Sequence, residues 1–242
     1  MYVVGKTDIG NFREENQDKF QIATIGDSSA FAVVCDGMGG AASGGLASEI
    51  ASNAVYERIS LSFRPEMEQK SIRTMLLSAI SAANTIVYNK SIESKENAGM
   101  GTTCVTAVLH NNVCSIASVG DSRAYLITPD GIQQITNDHT VVEYLHSKGI
   151  ISEDEMKVHS MKNVITRAVG VDKGVEADYF EIDVQKGSLI LLCTDGLTNV
   201  LSDEAIYSMV YGRNVEISVA DIVETANAQG SKDNITAVII SV

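Results

Sequence analysis

Residues 102–131 read TTCVTAVLHNNVCSIASVGDSRAYLITPDG. Three short apolar runs, 102–110, 113–119 and 122–128, follow one another with almost no connecting chain. Asn111-Asn112 and Asp130-Gly131 are hairpin signals, because asparagine and glycine tolerate the positive φ that tight turns need. Neighbours joined by such short turns are antiparallel, since a parallel connection needs a crossover of a dozen or more residues. This stretch predicts three strands joined by short turns.

The flanking chain extends the pattern. Residues 2–9, 18–25 and 30–35 read as strands, and so do 177–183, 188–193 and 234–242. Residues 43–61 and 67–93 carry apolar side chains at three- and four-residue spacing and read as long helices. Shorter helices are expected at 140–148, 152–157, about 202–211 and 218–228. Hairpins outnumber strand–helix–strand units. The expected class is α+β, with antiparallel sheets and helices packed outside.

Composition narrows the function. The chain has 242 residues, 45% hydrophobic and 20% charged, as in ordinary globular proteins. No linker or repeat divides it, and a single domain spanning 1–242 is the simplest expectation. A net charge of −13 argues against nucleic acid and anionic membrane as partners. Apolar stretches stay well short of membrane-spanning length. The four cysteines lie in strand-like runs without a Cys-x-x-Cys pair, which predicts buried, reduced thiols and a cytoplasmic location.

Four aspartates sit beside glycine or asparagine at expected strand ends: Asp36, Asp121, Asp195 and Asp233. Any one of them alone reads most simply as a turn. Four in the same context suggest convergence. Like charges about 4 Å apart repel by roughly 4 kcal/mol at an effective dielectric of 20. Lys and Arg are too scarce nearby to neutralise them all. Hard divalent cations such as Mg²⁺ and Mn²⁺ prefer carboxylate, carbonyl and water oxygens and would relieve the repulsion.

Other motifs fail. Gly5-Lys6-Thr7 lacks the earlier glycine of a P-loop. Gly37-Met38-Gly39-Gly40-Ala41-Ala42 matches a dinucleotide fingerprint, but Glu57, about twenty residues on, lies in a helical pattern and not at a strand end. Gly-x-Ser-x-Gly is absent. Arg13, in Arg13-Glu14-Glu15-Asn16-Gln17-Asp18, offers a planar fork suited to phosphate oxygens; the alternative is a solvated surface arginine.

The ordered set Arg13 to Asp18, Asp36-Gly37-Met38-Gly39-Gly40, Gly101-Thr102-Thr103, Gly120-Asp121-Ser122-Arg123, Asp138-His139, residues 163–170, Asp195-Gly196-Leu197 and Asp233-Asn234-Ile235-Thr236 resembles the metal-dependent protein Ser/Thr phosphatases of type 2C. The resemblance covers essentially the whole chain and is nearest to the short bacterial form. It implies a four-layer α-β-β-α sandwich of two antiparallel sheets flanked by helices. It implies two core Mn²⁺ or Mg²⁺ ions, with Asp36 bridging both, the Gly37 carbonyl on one, and Asp195 and Asp233 on the other. A weaker third ion would engage Asp121 with Asp195. Arg13 matches the phosphate-binding arginine, and Asp18 an acidic residue acting through water. Two metals about 3.5–4 Å apart lower the pKa of a shared water and supply a nucleophile at neutral pH, so no protein nucleophile is needed.

Some relatives carry a histidine directly after the Asp-Gly pair; here Met38 stands there. Gln17 stands where some carry a glutamate. His159-Ser160-Met161-Lys162-Asn163 lacks the proline expected in this stretch. His139 has two readings: a proton donor or a residue behind the metal ligands, or a histidine bonded at a loop-to-helix junction and capping the segment from Thr140. Residues 144–175 are expected to form a variable flap beside the site and to contribute to selectivity. The implied partners are phosphoprotein substrates, including a cognate Ser/Thr kinase, with the chain itself a monomer. The rival readings are an inactive relative used as a binding or sensor module, and a nucleotide-binding oxidoreductase built on the glycine run.

Overall fold

The computed structural model describes residues 1–26, 28–38 and 43–242. Gly39 to Ala42, the later part of the glycine run, lie outside the described residues. The chain runs β1 (Tyr2–Asp8), β2 (Asp18–Ile25), β3 (Ser29–Met38), α1 (Ser43–Ser62), α2 (Gln69–Glu93), β4 (Gly101–Thr102), β5 (Cys104–His110), β6 (Val113–Val119), β7 (Arg123–Thr128) and β8 (Gly131–Gln134). It continues α3 (Val141–Ser147), α4 (Glu153–Val158), β9 (Asp178–Asp183), β10 (Leu189–Cys193), α5 (Asp195–Thr198), α6 (Asp203–Val210), α7 (Val215–Ala228) and β11 (Ile235–Ser241).

One sheet has the order β1-β11-β10-β7-β8, and the other β2-β3-β5-β6-β9 with β4 beside β3. The strand pairs are antiparallel. The predicted Asn111-Asn112 turn joins β5 to β6, with φ of 50° and 62° at the two asparagines, the left-handed pair that a two-residue hairpin requires.

Strand periodicity explains the layers. In β3, Ala30, Ala32 and Val34 face the other sheet, where they meet Ile190, Leu192, Val238 and Ile240. The alternate residues Phe31, Val33 and Cys35 pack under α1 and α2, against Ala51, Val55, Leu76 and Ile80. In β11, Ile235, Ala237 and Ile239 face α6 and α7, where they join Ile206, Val219 and Val223. Strands buried on both faces read as unbroken apolar runs, which is why they were legible. The expected four-layer α-β-β-α arrangement is found. All four cysteines are free and buried, as expected.

Boundaries differ where local signals are weak or partners distant. β3 continues three residues past the expected Cys35, because Gly37 and Met38 pair with Thr102 and Gly101 of β4. Asp36 therefore lies inside a strand and not at its end, correcting the strand-end reading for this residue. β8 and α5 were not expected. Each is four residues long, too short to show periodicity. α7 begins at Val215, earlier than 218, because the Asn214 side chain caps it by accepting from the N–H groups of Glu216 and Ile217.

Candidate active site

The site is built at the sheet ends nearest β4. Asp36 is held from three directions: its N–H donates to Thr103 Oγ1 at 2.9 Å, and its carbonyl accepts from Thr103 N–H at 2.9 Å and Thr102 Oγ1 at 2.8 Å. Thr103 Oγ1 in turn lies 2.7 Å from Ser122 Oγ, tying Asp36 to the turn that carries Asp121. The Gly101-Thr102-Thr103 motif had no assigned role in the sequence reading. The glycine after Asp36 is required by contact: a Cβ on Gly37 would lie 2.2 Å from the Gly44 carbonyl oxygen.

Asp18 is the cross-strand partner of Asp36. It is buried, and its Oδ2 accepts from the Thr194 and Thr236 hydroxyls at 2.8 and 2.7 Å. Asp195 opens α5, and Asn199 Nδ2 donates to its Oδ2 at 2.9 Å. Asp233 precedes β11; its Oδ1 accepts from Asn234 N–H at 2.8 Å, and its Oδ2 lies 2.7 Å from Arg13 Nη2.

These groups share one cavity of about 630 Å³, whose wall includes Arg13, Gln17, Asp36, Gly37, Met38, Asp121, Asp195 and Asp233. Lys162, Asn163 and Ile165 of the expected flap segment also line it, as does Lys232. Asp18 and His139 are buried behind the wall.

His139 does not cap α3; the Thr140 side chain does, accepting from Glu143 N–H at 3.2 Å. The His139 imidazole instead turns to the Asp121 turn, where its Nδ1 accepts the Gly120 N–H at 3.1 Å. Its Nε2 lies 3.2 Å from Asp178 Oδ2, out of hydrogen-bond alignment. Burial holds the imidazole pKa below its ordinary value, against the opposing pull of Asp178. Two partners around Asp138 escaped the sequence reading: Arg123 grips Asp138 through three contacts of 2.7–3.1 Å, and Gln134 donates to it at 3.0 Å.

The electrostatics identify what is missing from a protein-only account. Burial pushes Asp36 far above the ordinary carboxylate range, and the charges of Asp18, Asp195, Asp233 and Asp121 push it further. Burial also raises Asp195, with Asp233 adding to it; hydrogen bonds from Asn199 and the Asp36 carboxyl oppose the rise only in part. Asp18 is pushed up to about 7 by burial, despite its two threonine hydroxyls. Asp121 is pushed up to about 7 by burial and then by Asp195 and Asp138. Asp18 Oδ1 and Asp195 Oδ1 are buried with no hydrogen-bond partner. Orphaned carboxylate oxygens in a mutually repelling, all-oxygen set suit hard divalent cations. Among the described residues no three such side chains are drawn into a closed cage. The carboxylates line a shared cavity, which suits ions that keep several waters, as Mg²⁺ does.

A family model described as Protein phosphatase 2C matches residues 12–238. A Listeria innocua serine/threonine phosphatase, Stp, is 35% identical over 245 residues, covering 99% of this chain and 95% of the relative. The Staphylococcus aureus serine/threonine phosphatase Stp1 superposes with a TM-score of 0.92 at 33% identity, over 99% of this chain and 94% of that one. The catalytic domain of the serine/threonine protein phosphatase PstP, solved with two manganese ions, superposes with a TM-score of 0.84 at 28% identity, over 98% and 96% of the chains.

Proposed function

The chain belongs to the protein phosphatase 2C family and is a metal-dependent protein-serine/threonine phosphatase, and from that premise we propose how its residues divide the work. Asp36, the Gly37 carbonyl, Asp195 and Asp233 would hold two core divalent ions, manganese or magnesium, and Asp121 with Asp195 a weaker third. When bound, such ions lower the pKa of water and offset charge on the phosphoryl oxygens. Support for this assignment comes from the orphaned, buried oxygen of Asp195 beside Asp233, whose charge raises the pKa of both Asp195 and Asp36.

The protein groups do the positioning. Asn199 orients Asp195, and Thr102 and Thr103 fix the backbone of Asp36. Asp18, anchored by Thr194 and Thr236, faces the metal ligands from behind and fits a role exerted through water. The Arg13 fork is half exposed at the cavity mouth and suits two phosphoryl oxygens in parallel. Met38 lines the cavity and offers no proton, so it is not the acid for the leaving Ser or Thr oxygen. His139 is held behind the wall as a residue that positions the Gly120-Asp121 turn.

We further propose that residues 1–242 form one catalytic domain acting as a cytoplasmic monomer, and that its substrates include a cognate Ser/Thr kinase. The pairing of β1 with β11 supports one folding unit. Among the described residues no helix is long and apolar enough to cross a membrane. The deciding experiment is phosphate release from a phosphothreonine peptide with and without Mn²⁺. Strong stimulation that chelator removes is expected; metal-independent turnover would sink the ligand assignment.

A further inference from the structure

Between β1 and β2 the chain runs through residues 9–17 without helix or strand, and Arg13 sits in its middle. Little apolar contact fixes this loop. Phe12 is 62% exposed and Ile9 40%. Yet the Arg13 guanidinium must meet a phosphoryl group with the precision a two-pronged contact demands.

The Gln17 carbonyl at the end of the loop accepts from the Gly37 N–H and the Ser48 hydroxyl, and one buried side chain bridges both ends. Asn234, 3% exposed, donates through Nδ2 to the carbonyls of Ile9 at 2.8 Å and Glu15 at 2.9 Å, while its Oδ1 accepts the Gln17 N–H at 2.8 Å. Three contacts from one carboxamide thus grip both ends of the loop. The Asn234 backbone N–H donates to Asp233 Oδ1 at 2.8 Å, so the same residue also orients the partner of Arg13. Gly10 completes the seat. It has a φ of +77°, and a Cβ there would lie 2.6 Å from the Asp233 carbonyl oxygen. Only a side-chain amide supplies two donors and an acceptor in this geometry. Aspartate would present an oxygen to two carbonyls.

We infer that Asn234 is a positioning residue for substrate binding: its carboxamide pins the 9–17 loop against the Asp233 segment and so sets where the Arg13 guanidinium meets the phosphoryl group. The inference rests on the phosphate-clamp reading of Arg13.

A double-mutant cycle tests it. Arg13→Ala, Asn234→Ala and the double variant are compared with wild type on a phosphothreonine peptide at saturating Mn²⁺. Arg13→Ala is expected to lower kcat/KM about ten- to a hundredfold. Asn234→Ala is expected to lower it about tenfold, chiefly through KM, as removal of a binding contact does. In the Arg13→Ala background Asn234→Ala should have an effect within about twofold of none, because residues acting as one unit are not additive. Mn²⁺ affinity by calorimetry should be unchanged, and hydrogen exchange across residues 9–17 should accelerate. Asn234→Asp, of the same shape, goes through the same cycle in case the alanine variant fails to fold. Multiplicative losses in the double variant, or weaker Mn²⁺ binding with KM unchanged, would overturn the inference while leaving the clamp intact. An Arg13→Ala variant with wild-type kcat/KM would overturn both.

Discussion

The Nη2 of Arg13 lies 2.7 Å from Oδ2 of Asp233, joining the N-terminal loop to a residue 220 positions later. The Arg13 side chain is 53% exposed, and an ion pair so open to water is worth only about 0–1 kcal/mol. The contact therefore contributes little to stability and holds the guanidinium where a stronger anion can compete for it. Arg13→Ala should leave the melting temperature nearly unchanged, raise KM and lower kcat/KM about ten- to a hundredfold. Arg13→Lys should recover only part, since a point charge cannot reproduce the fork. Steady-state kinetics on a phosphothreonine peptide checks this; an unchanged kcat/KM would return Arg13 to the solvated surface.

Asp195 raises the pKa of Asp36, and Asp233 raises both. Asp36→Asn or Asp195→Asn should abolish turnover and weaken Mn²⁺ binding, while the melting temperature in chelator does not fall, because the amide replaces a buried carboxyl whose ionisation burial and its neighbours disfavour. Near-normal activity of either variant at saturating Mn²⁺ would show that the ligand set is wrong.

Asp18 and Asp121, each pushed up to about 7, set a pH dependence. Their folded-state values exceed the unfolded carboxylate value of about 3.9, so the folded state binds more protons between the two. The stability they contribute is fully present below the unfolded value and is lost as pH rises through about 7. In chelator the melting temperature should fall as pH rises across this window, and saturating Mn²⁺ should oppose the fall. Calorimetry at several pH values reads this directly. A melting temperature that rises over the same window in chelator would contradict the assignment of raised values.

Asp121, which we propose as a ligand of the weaker ion, lies in the turn between β6 and β7. Asp121→Ala should leave the two tighter Mn²⁺ sites filled and yet cut turnover. Titration calorimetry separates the cases: loss of a tight site would mean that Asp121 belongs to the core pair.

His139 accepts the Gly120 N–H through Nδ1, so the neutral ring carries its proton on Nε2, toward Asp178. Burial, which lowers its pKa, keeps it neutral at pH 7. Nitrogen chemical shifts should report that tautomer, and an imidazolium at pH 7 would refute it. His139→Ala leaves a buried donor unpaired and should cost about 1–3 kcal/mol of stability.

How much of this was legible in the chain depends on how far apart the causes lie. The β5–β6 hairpin and the long helices were readable because their determinants are local: turn asparagines, three-four apolar spacing, and strands buried on both faces. The passage of β7 into the other sheet was not, because nothing local in Gly120-Asp121-Ser122 announces it. β8 and α5 carry too few residues for any period to emerge. The extra length of β3 depends on β4, more than sixty positions away, and no local signal in residues 36–38 announces that pairing. The order of the motifs pointed to the family, and the family is shown.

The sequence by itself determined which residues could carry oxygen ligands and a phosphate fork, because side-chain chemistry does not depend on the fold. Only the tertiary structure decided how they meet. It put Asp18 and Asp36 side by side across β2 and β3, left one oxygen of Asp195 buried without a partner, turned His139 toward Gly120 instead of the helix it precedes, and fastened the Arg13 loop through Asn234. The three contacts among these join residues of different segments of the chain. Such contacts are set by strand register and by the need to satisfy buried polar groups, and both exist only once the sheets have packed.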